Sequence, residues 1–198
     1  MTFQTDLPAK VAASVVALCW LAFGVILVVG KKGASASTTK RDLMSHAGFL
    51  AQMLGYAILL VWNPTYSPAL GRGSRAAETL ISLFAALLAI ASTWFCFAAA
   101  RALGKQWALV ARVIEGHELI RQGPYAVVRN PIYLAMLGML LATGLAASRW
   151  QAVAAATFVF LIGTEIRIRS EEKLLKEKFG PEFDEYAREV PTLIPRIF

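Results

Sequence analysis

Long uncharged apolar runs constrain the fold of this chain more than any other feature of its sequence. Four runs carry no charged residue, apart from a single arginine in the last of them: 11–30, 43–71, 80–100 and 132–164. The hydrocarbon core of a bilayer is about 30 Å thick, so a helix needs roughly 20 apolar residues to cross it. The runs therefore predict an all-α integral membrane protein.

The composition agrees with this fold class. Of the 198 residues, 57% are hydrophobic and 17% are charged, whereas an average soluble domain is about half apolar and a quarter charged. These values exclude a soluble globular domain, a disordered chain and a disulfide-stapled secreted module. Cys19 and Cys96 lie within apolar runs. They predict buried thiols, and they show neither a disulfide framework nor metal-ligand spacing.

We predict five transmembrane helices, at about 9–30, 43–62, 77–100, 131–147 and 150–168. The last two are separated by so short a connection that they predict a tight helical hairpin, and both are short for full spans. We expect the first helix to be retained rather than cleaved as a signal peptide, because its apolar stretch is too long. Gly138 and Gly144 in the fourth helix are expected to permit close approach of neighbouring helices.

The lysines and arginines predict the orientation of the helices. With five spans, 16 of the 20 basic residues fall on one side, and the other side holds only Lys10, Arg72, Arg75 and Arg149. The positive-inside rule then places the N-terminus outside and the C-terminus in the cytoplasm. The formal charge of +7 is therefore interpreted as a set of topological anchors near membrane lipids and not as a nucleic-acid footprint.

Two polar segments, 101–131 and 165–198, are expected to reach the same cytoplasmic face, because they flank the predicted hairpin. In the first, Gly123-Pro124 predicts a turn, and Asn130-Pro131 predicts a helix start with asparagine as N-cap. In the second, Glu171-Glu172 follows the fifth span. The helix should continue to Phe179-Gly180-Pro181, and a second short helix should cover about 181–189.

These segments carry a specific pattern. The first reads His117-x-Leu119-Ile120-x-x-Gly123-Pro124-Tyr125-x-x-Val128-Arg129-Asn130-Pro131-x-Tyr133, and the second reads Glu171-Glu172-x-x-Leu175-x-x-x-Phe179-Gly180-x-x-Phe183-x-x-Tyr186. Together they resemble the isoprenylcysteine carboxyl methyltransferase family, which is related to membrane phospholipid N-methyltransferases. The resemblance covers about residues 101–198, whereas 1–100 resemble the family only in being helical and apolar. The family often has Arg-His-Pro where this chain has Asn130, and often tyrosine where it has Phe183.

The length and the apolar runs predict one membrane domain over 1–198, with three membrane helices in 1–100, and the resemblance implies that 101–198 is the cofactor-binding half. It implies S-adenosylmethionine as the methyl donor, with S-adenosylhomocysteine as product, and a lipophilic acceptor that enters from the bilayer. It also implies a set of cofactor-binding residues: His117, Leu119, Gly123, Pro124, Tyr125, Arg129, Asn130, Pro131, Tyr133, Glu171 and Glu172. Arg129 is in addition the predicted catalytic residue, and no metal is expected.

The chemistry of these side chains agrees with such a ligand. Carboxylates suit the ammonium group and the ribose hydroxyls of the cofactor, so Glu171 and Glu172 are candidates for those contacts. Arg129 can bind the carboxylate of the cofactor or of the acceptor in a bidentate manner. Tyr125, Tyr133 and His117 can line the adenine or face the sulfonium cation. Structural roles compete with these roles: a solvated helix face for the glutamates, and an anchor with a helix cap for Arg129 and its neighbours.

The sequence leaves three functions open. The first is methyl transfer to a carboxylate of an isoprenylcysteine-like acceptor, which is already ionised at neutral pH and needs no general base. The second is N-methylation of a phospholipid or another lipid, for which His117 or a glutamate would act as the base. The third is a membrane scaffold or transporter, but the sequence shows neither ionisable residues at mid-span nor an inverted repeat.

Overall fold

The computed structural model describes residues 7–32, 43–62, 75–104 and 118–194, and its regular elements are helical. The helices are α1 (Leu7–Lys32), α2 (Leu43–Val61), α3 (Arg75–Leu103), α4 (Pro131–Ala147), α5 (Trp150–Phe179) and α6 (Pro181–Glu189), with a 3-10 turn at Gly123–Ala126. The expected positions of all six helices are confirmed to within a few residues. The tight connection between α4 and α5 is confirmed as well, because only Ser148 and Arg149 separate them.

Helix length and hydropathy identify a multi-pass membrane protein. Within the described residues, α1, α2, α3 and α5 are long and apolar enough to cross a membrane, whereas α4 has 17 residues and falls short of that length. At 1.5 Å per residue α4 is about 26 Å long. Its apolar side chains are buried around most of its circumference, which is typical of a helix enclosed by other helices. Protein rather than lipid therefore surrounds α4.

The first three helices pack around the α4–α5 hairpin. α2 lies along α5, α3 lies along α4, and α1 contacts α3 and α4. Both glycines of α4 are at close helix contacts: a Cβ atom added at Gly138 would lie 2.1 Å from Ser92 Oγ, and one at Gly144 would lie 2.6 Å from Val153 Cγ2. Of the two cysteines, Cys96 is buried as expected, but Cys19 is only half-buried.

A seam of small residues joins α2 to α5 and was not expected from the sequence. A Cβ atom added at Gly48 would lie 2.7 Å from the carbonyl oxygen of Gly163, and one at Gly163 would lie 2.6 Å from the carbonyl oxygen of Gly48. Seven residues further along α2, a Cβ atom at Gly55 would lie 2.9 Å from the carbonyl oxygen of Ala156. The two backbones are therefore in contact, which fixes the polar side chains beside the seam.

The chain turns back on itself after α5. Gly180 adopts a left-handed φ of 53°, a conformation that glycine allows without strain, and α6 begins at the next residue. α6 buries Phe183 and Tyr186, and the Tyr186 hydroxyl donates a 2.6 Å hydrogen bond to the carbonyl oxygen of Tyr125. The C-terminal segment is thereby held against the loop that precedes α4.

Candidate active site at the α4–α5 membrane face

The loop before α4 is anchored by its own backbone and by two buried side chains. Gly123 has a left-handed φ of 62°, and Val128 N–H donates to the carbonyl oxygen of Pro124 at 3.1 Å, which confirms the predicted turn. Tyr125 and Val128 are buried. Burial raises the pKa of the Tyr125 phenol well above its usual value, with a smaller contribution from the negative charge of Glu171. Tyr125 is therefore a neutral phenol at physiological pH.

Asn130 occupies the N-cap position of α4, and Pro131 is the first helical residue. The carbonyl oxygen of Asn130 accepts the Leu134 N–H at 3.2 Å. Its side chain, however, makes no capping hydrogen bond, so the predicted cap is correct in position but wrong for the side chain. The Asn130 amide nitrogen instead donates to the Thr192 carbonyl oxygen at 3.0 Å and to Glu172 Oε1 at 3.5 Å, so the side chain joins α4 to the C-terminal segment and to α5.

Arg129 has protein acceptors for all five of its guanidinium N–H groups. Nε donates to Glu172 Oε1 at 2.9 Å, and Nη2 reaches Glu172 Oε2 at 3.3 Å. The remaining donors bond to the C-terminal segment: Nη1 to the carbonyl oxygens of Ala187 and Val190, and Nη2 to Thr192 Oγ1. Such a bidentate, charge-assisted pair is among the strongest polar contacts in proteins. Arg129 thus joins the start of α4 and the C-terminal half of α5 to residues 187–193, which we call the tail.

The backbone strengthens this attachment of the tail. Arg129 N–H donates to the carbonyl oxygen of Pro191 at 2.9 Å, and Asn130 N–H donates to that of Thr192 at 3.1 Å. We refer to Val190–Leu193 as the strap. Thr192 and the strap could not be predicted from the sequence, because nothing local marks a short extended segment as the partner of a loop about 60 residues earlier.

Glu171 has a different set of partners from Glu172. The Tyr133 hydroxyl donates to Glu171 Oε1, and Arg167 Nη2 lies 3.7 Å from the same oxygen. Within the described residues, Oε2 of Glu171 makes no hydrogen bond, and the side chain is 26% exposed. Consecutive residues on a helix point about 100° apart. Glu172 therefore faces the tail, whereas Glu171 faces Tyr133 and retains one oxygen that can bind a ligand.

Arg167 and Gln52 extend this network into the helix bundle. Arg167 Nη1 donates to Gln52 Oε1 at 2.9 Å, and Gln52 Nε2 donates to Thr164 Oγ1 at 2.9 Å. Arg167 is one of the basic residues counted as topological anchors, but its side chain is only 4% exposed and is enclosed where α2 meets α5. The signals available in the sequence were a lone glutamine in the apolar run of α2 and the four-residue spacing from Arg167 to Glu171.

A cavity of about 770 Å³ lies between the end of α3 and the segment 118–124. Three of the predicted site residues line it, namely Leu119, Gly123 and Pro124, together with side chains such as Trp94 and Arg101 of α3. Its lining mixes the charged groups of Arg101, Glu118 and Arg121 with aromatic and aliphatic side chains. Such a surface suits a ligand with both apolar and polar parts.

The structure therefore divides the predicted site residues into groups. One network contains Arg129, Asn130 and Glu172, and a second contains Tyr133 and Glu171. The cavity is lined by Leu119, Gly123 and Pro124. Pro131 begins α4, Tyr125 is part of the core, and His117 lies outside the described residues. Among the residues described, no group of three or more His, Cys, Asp or Glu side chains is placed to hold a metal ion.

Comparison with known proteins identifies relatives of this region. The family model described as "Phospholipid methyltransferase" matches residues 80–182. The chain is 33% identical over 96 residues to the nickel-cobalt-cadmium resistance protein NccN of Alcaligenes xylosoxydans xylosoxydans, a match that covers 48% of this chain and 45% of that protein. It is 32% identical over 96 residues to the cobalt-zinc-cadmium resistance protein CzcN of Cupriavidus metallidurans, covering 48% and 44% of the two chains.

A third relative carries the name of an enzyme. The chain is 35% identical over 82 residues to protein-S-isoprenylcysteine O-methyltransferase B of Arabidopsis thaliana, and the match covers 41% of each protein. The matched region thus spans less than half the length of each of these three relatives. The family match includes the loop before α4, α4 itself, α5 and both glutamates.

Proposed function

Because this chain belongs to the phospholipid methyltransferase family, we propose that it is a membrane-embedded S-adenosylmethionine-dependent methyltransferase that acts on a lipophilic acceptor. The observation that carries the proposal is the arrangement of Glu171 and Glu172 at the end of α5. Tyr133 and Arg167 hold the first carboxylate, and Arg129 holds the second. Two adjacent carboxylates with fixed and different orientations are typical of a built ligand site and not of a solvated helix face.

The residues present fit the chemical groups of the cofactor. Glu171 Oε2 is available to accept a hydrogen bond from an ammonium group or a ribose hydroxyl. The cavity beside Leu119, Gly123 and Pro124 offers apolar and backbone surface for the adenine. When bound, S-adenosylmethionine supplies an electrophilic methyl group. The protein's own contribution is to position the reactants and to exclude water from between them.

We propose that Arg129 acts chiefly as a positioning residue. Its five donors already have protein acceptors, so a direct contact with a ligand carboxylate would require it to release one of them. Held as it is, Arg129 fixes Glu172 and the strap at the mouth of the site. The direct ligand contact and the catalytic role expected from the sequence remain predictions.

The acceptor that we propose is the carboxylate of an isoprenylcysteine-like molecule. An ionised carboxylate needs no proton removed before methyl transfer, so the site needs no base while Glu171 binds the cofactor and Arg129 holds Glu172. The motif pattern and the name of the Arabidopsis relative support this choice.

N-methylation of a phospholipid is the alternative, and the description of the family model supports it. An amine acceptor must lose a proton, and Glu171 Oε2 would be the available base. A scaffold or transporter without enzymatic activity is the third possibility. It predicts a protein that binds no methyl donor.

The proposed orientation follows from the positive-inside rule. The N-terminus would lie outside and the C-terminus in the cytoplasm, with α4 completing a fifth crossing. The α4–α5 site then faces the cytoplasm.

Cofactor binding tests the proposal directly. Full-length protein in detergent should release or absorb heat on titration with S-adenosylhomocysteine, and Glu171→Gln should weaken this binding about 100-fold, because a charge-assisted hydrogen bond is lost. Glu177→Gln is the matched control, since Glu177 lies on the same helix but is exposed. A wild-type protein that binds neither this ligand nor the methyl donor would refute the methyltransferase proposal.

The acceptor is identified by transfer of label. Wild-type protein with radioactive methyl donor should label a prenylated cysteine analogue in detergent micelles. Labelling of a phospholipid amine in place of that analogue would refute the carboxylate assignment and establish the alternative.

A further inference from the structure

We propose that Gln52 of α2 is a positioning residue for the ligand-binding carboxylate of Glu171 and that it acts through Arg167. This inference rests on the function proposed above. Helix α2 lies outside the family match at 80–182. By this inference it contributes to the ligand site in addition to its role as a membrane helix.

The orientation of the Gln52 amide is fixed by chemistry. Gln52 is fully buried, and Thr164 and Arg167 beside it are 1% and 4% exposed. Because a guanidinium group can only donate hydrogen bonds, the amide oxygen must face Arg167 and the amide nitrogen must face Thr164. Both contacts are 2.9 Å long. The amide therefore presents an acceptor to Arg167 and cannot rotate without losing both bonds.

Arg167 is held on several sides at once. Its guanidinium lies over the Tyr133 ring at 4.8 Å and over the Phe49 ring at 5.6 Å, at distances where a cation is attracted to an aromatic face. Nη1 is bonded to Gln52, and Nη2 lies 3.7 Å from Glu171 Oε1. The position of Nη2, which determines where Glu171 is held, thus depends on the acceptor that Gln52 supplies.

The Glu171 carboxylate is oriented by two groups of this network. Oε1 receives the Tyr133 hydroxyl and faces Arg167, so Oε2 is directed away from both. The Tyr133 ring is itself packed under Arg167. A shift of Arg167 therefore moves both groups that hold Glu171.

The backbone contact between α2 and α5 makes this arrangement rigid. A Cβ atom added at Gly163 would lie 2.8 Å from the backbone nitrogen of Gln52, and one at Gly48 would lie 2.5 Å from Arg167 Cγ. With the backbones this close, neither Gln52 nor Arg167 can move away from the other by sliding of the helices.

The cost of burying these groups is a further argument for a role of the amide. A buried amide in an apolar segment costs free energy unless it is hydrogen-bonded, and a buried cation costs more. A leucine at position 52 would avoid this cost in a membrane helix. Polar groups inside membrane helices commonly mark functional positions, and here the two polar groups meet one turn of α5 before Glu171.

The test compares variants of the full-length protein by S-adenosylhomocysteine titration in detergent. Gln52→Leu should weaken binding roughly tenfold, the loss expected for one hydrogen bond to a charged group. In the methyl-transfer assay it should raise KM for the methyl donor with kcat nearly unchanged. In a Glu171→Gln background it should cause no further loss, because both changes act on the same carboxylate.

Tyr56→Phe is the matched control. Tyr56 lies one turn further along α2 and donates a 2.6 Å hydrogen bond to the carbonyl oxygen of Met136, so its loss weakens α2 packing without touching Arg167. It should leave the affinity unchanged. If Gln52→Leu fails to fold, Thr164→Val replaces it, because this change removes only the group that orients the amide; about a threefold loss of affinity is expected.

The outcomes separate this inference from the proposed function. A wild-type protein that binds no ligand refutes both. A wild-type protein that binds, with Glu171→Gln impaired but Gln52→Leu and Thr164→Val unaffected, refutes the role of Gln52 alone. Losses that simply add in the double variant, or that Tyr56→Phe reproduces, also refute it, because they indicate a general effect on folding.

Discussion

Replacement of Arg129 by lysine should release the C-terminal tail while leaving the membrane helices in place. Arg129 donates five hydrogen bonds, two to Glu172 and three to Ala187, Val190 and Thr192. A lysine keeps the charge but has only three donors and no planar fork, so at least two bonds are lost. At about 1.5 kcal/mol for each hydrogen bond to a charged group, the attachment of the tail should weaken by about 3 kcal/mol.

Amide hydrogen exchange measures this loss locally. Since each 1.4 kcal/mol corresponds to about a factor of ten, exchange in the segment 187–193 should accelerate about 100-fold in Arg129→Lys. The centre of α4 should exchange at the wild-type rate.

Arg188→Lys is the control, because Arg188 lies in the same segment but is exposed. Equal exchange in both variants, or no change in Arg129→Lys, would show that Arg129 does not hold the tail. An acceleration that extends through α4 would show that Arg129 stabilises the whole bundle and would refute its assignment to the tail.

Three other perturbations test the fold. Gly163→Ala should destabilise the protein by more than about 2 kcal/mol, because its Cβ atom would lie 2.6 Å from the Gly48 carbonyl oxygen. Gly24→Ala, with nothing within 4 Å, should not lower the temperature of thermal unfolding. Equal effects of the two variants would contradict the α2–α5 seam. Burial raises the pKa of Tyr186 from 10.0 to about 12, so the folded state keeps the phenol proton to a higher pH than the unfolded state does. The resulting stabilisation is complete below pH 10 and should be lost as the pH rises from 10 to 12. Tyr186→Phe should remove this part of the pH dependence of stability, and an unchanged profile would contradict the assignment to Tyr186. A topology reporter fused to the C-terminus should indicate a cytoplasmic location. A signal that places this fusion outside would reverse the proposed orientation.

The positions of the helices could be predicted because the signals that determine them are local. Apolar runs, a glycine-proline stop after Phe179 and a proline at the first position of α4 each act within a few residues. The same holds for the turn at Gly123 and Pro124. These features required no knowledge of which helices are neighbours.

The roles of individual polar residues depended on packing between distant segments. Arg167 is a buried partner of Gln52 only because α2 lies against α5, and its four-residue spacing to a glutamate is shared by the exposed Arg169 nearby. Asn130 has the sequence of a helix cap, but its side-chain amide makes no capping bond and donates to the Thr192 carbonyl oxygen of the strap. Residue type predicted a helix cap at Asn130 and a basic anchor at Arg167, whereas the packing of distant segments determined the contacts of both side chains.

The two glutamates at the end of α5 connect two environments of the protein. Arg167 approaches Glu171 from within the helix bundle, and Arg129 approaches Glu172 from the loop and the tail. Since adjacent helical positions differ by about 100° in direction, one short stretch of α5 is bonded to the bundle on one side and to the tail on another. The affinity for a ligand at Glu171 would therefore depend on both the packing of α2 and the attachment of the strap. For that reason, changes at Gln52 and at Arg129 should both affect this site, one through the helix bundle and the other through the tail.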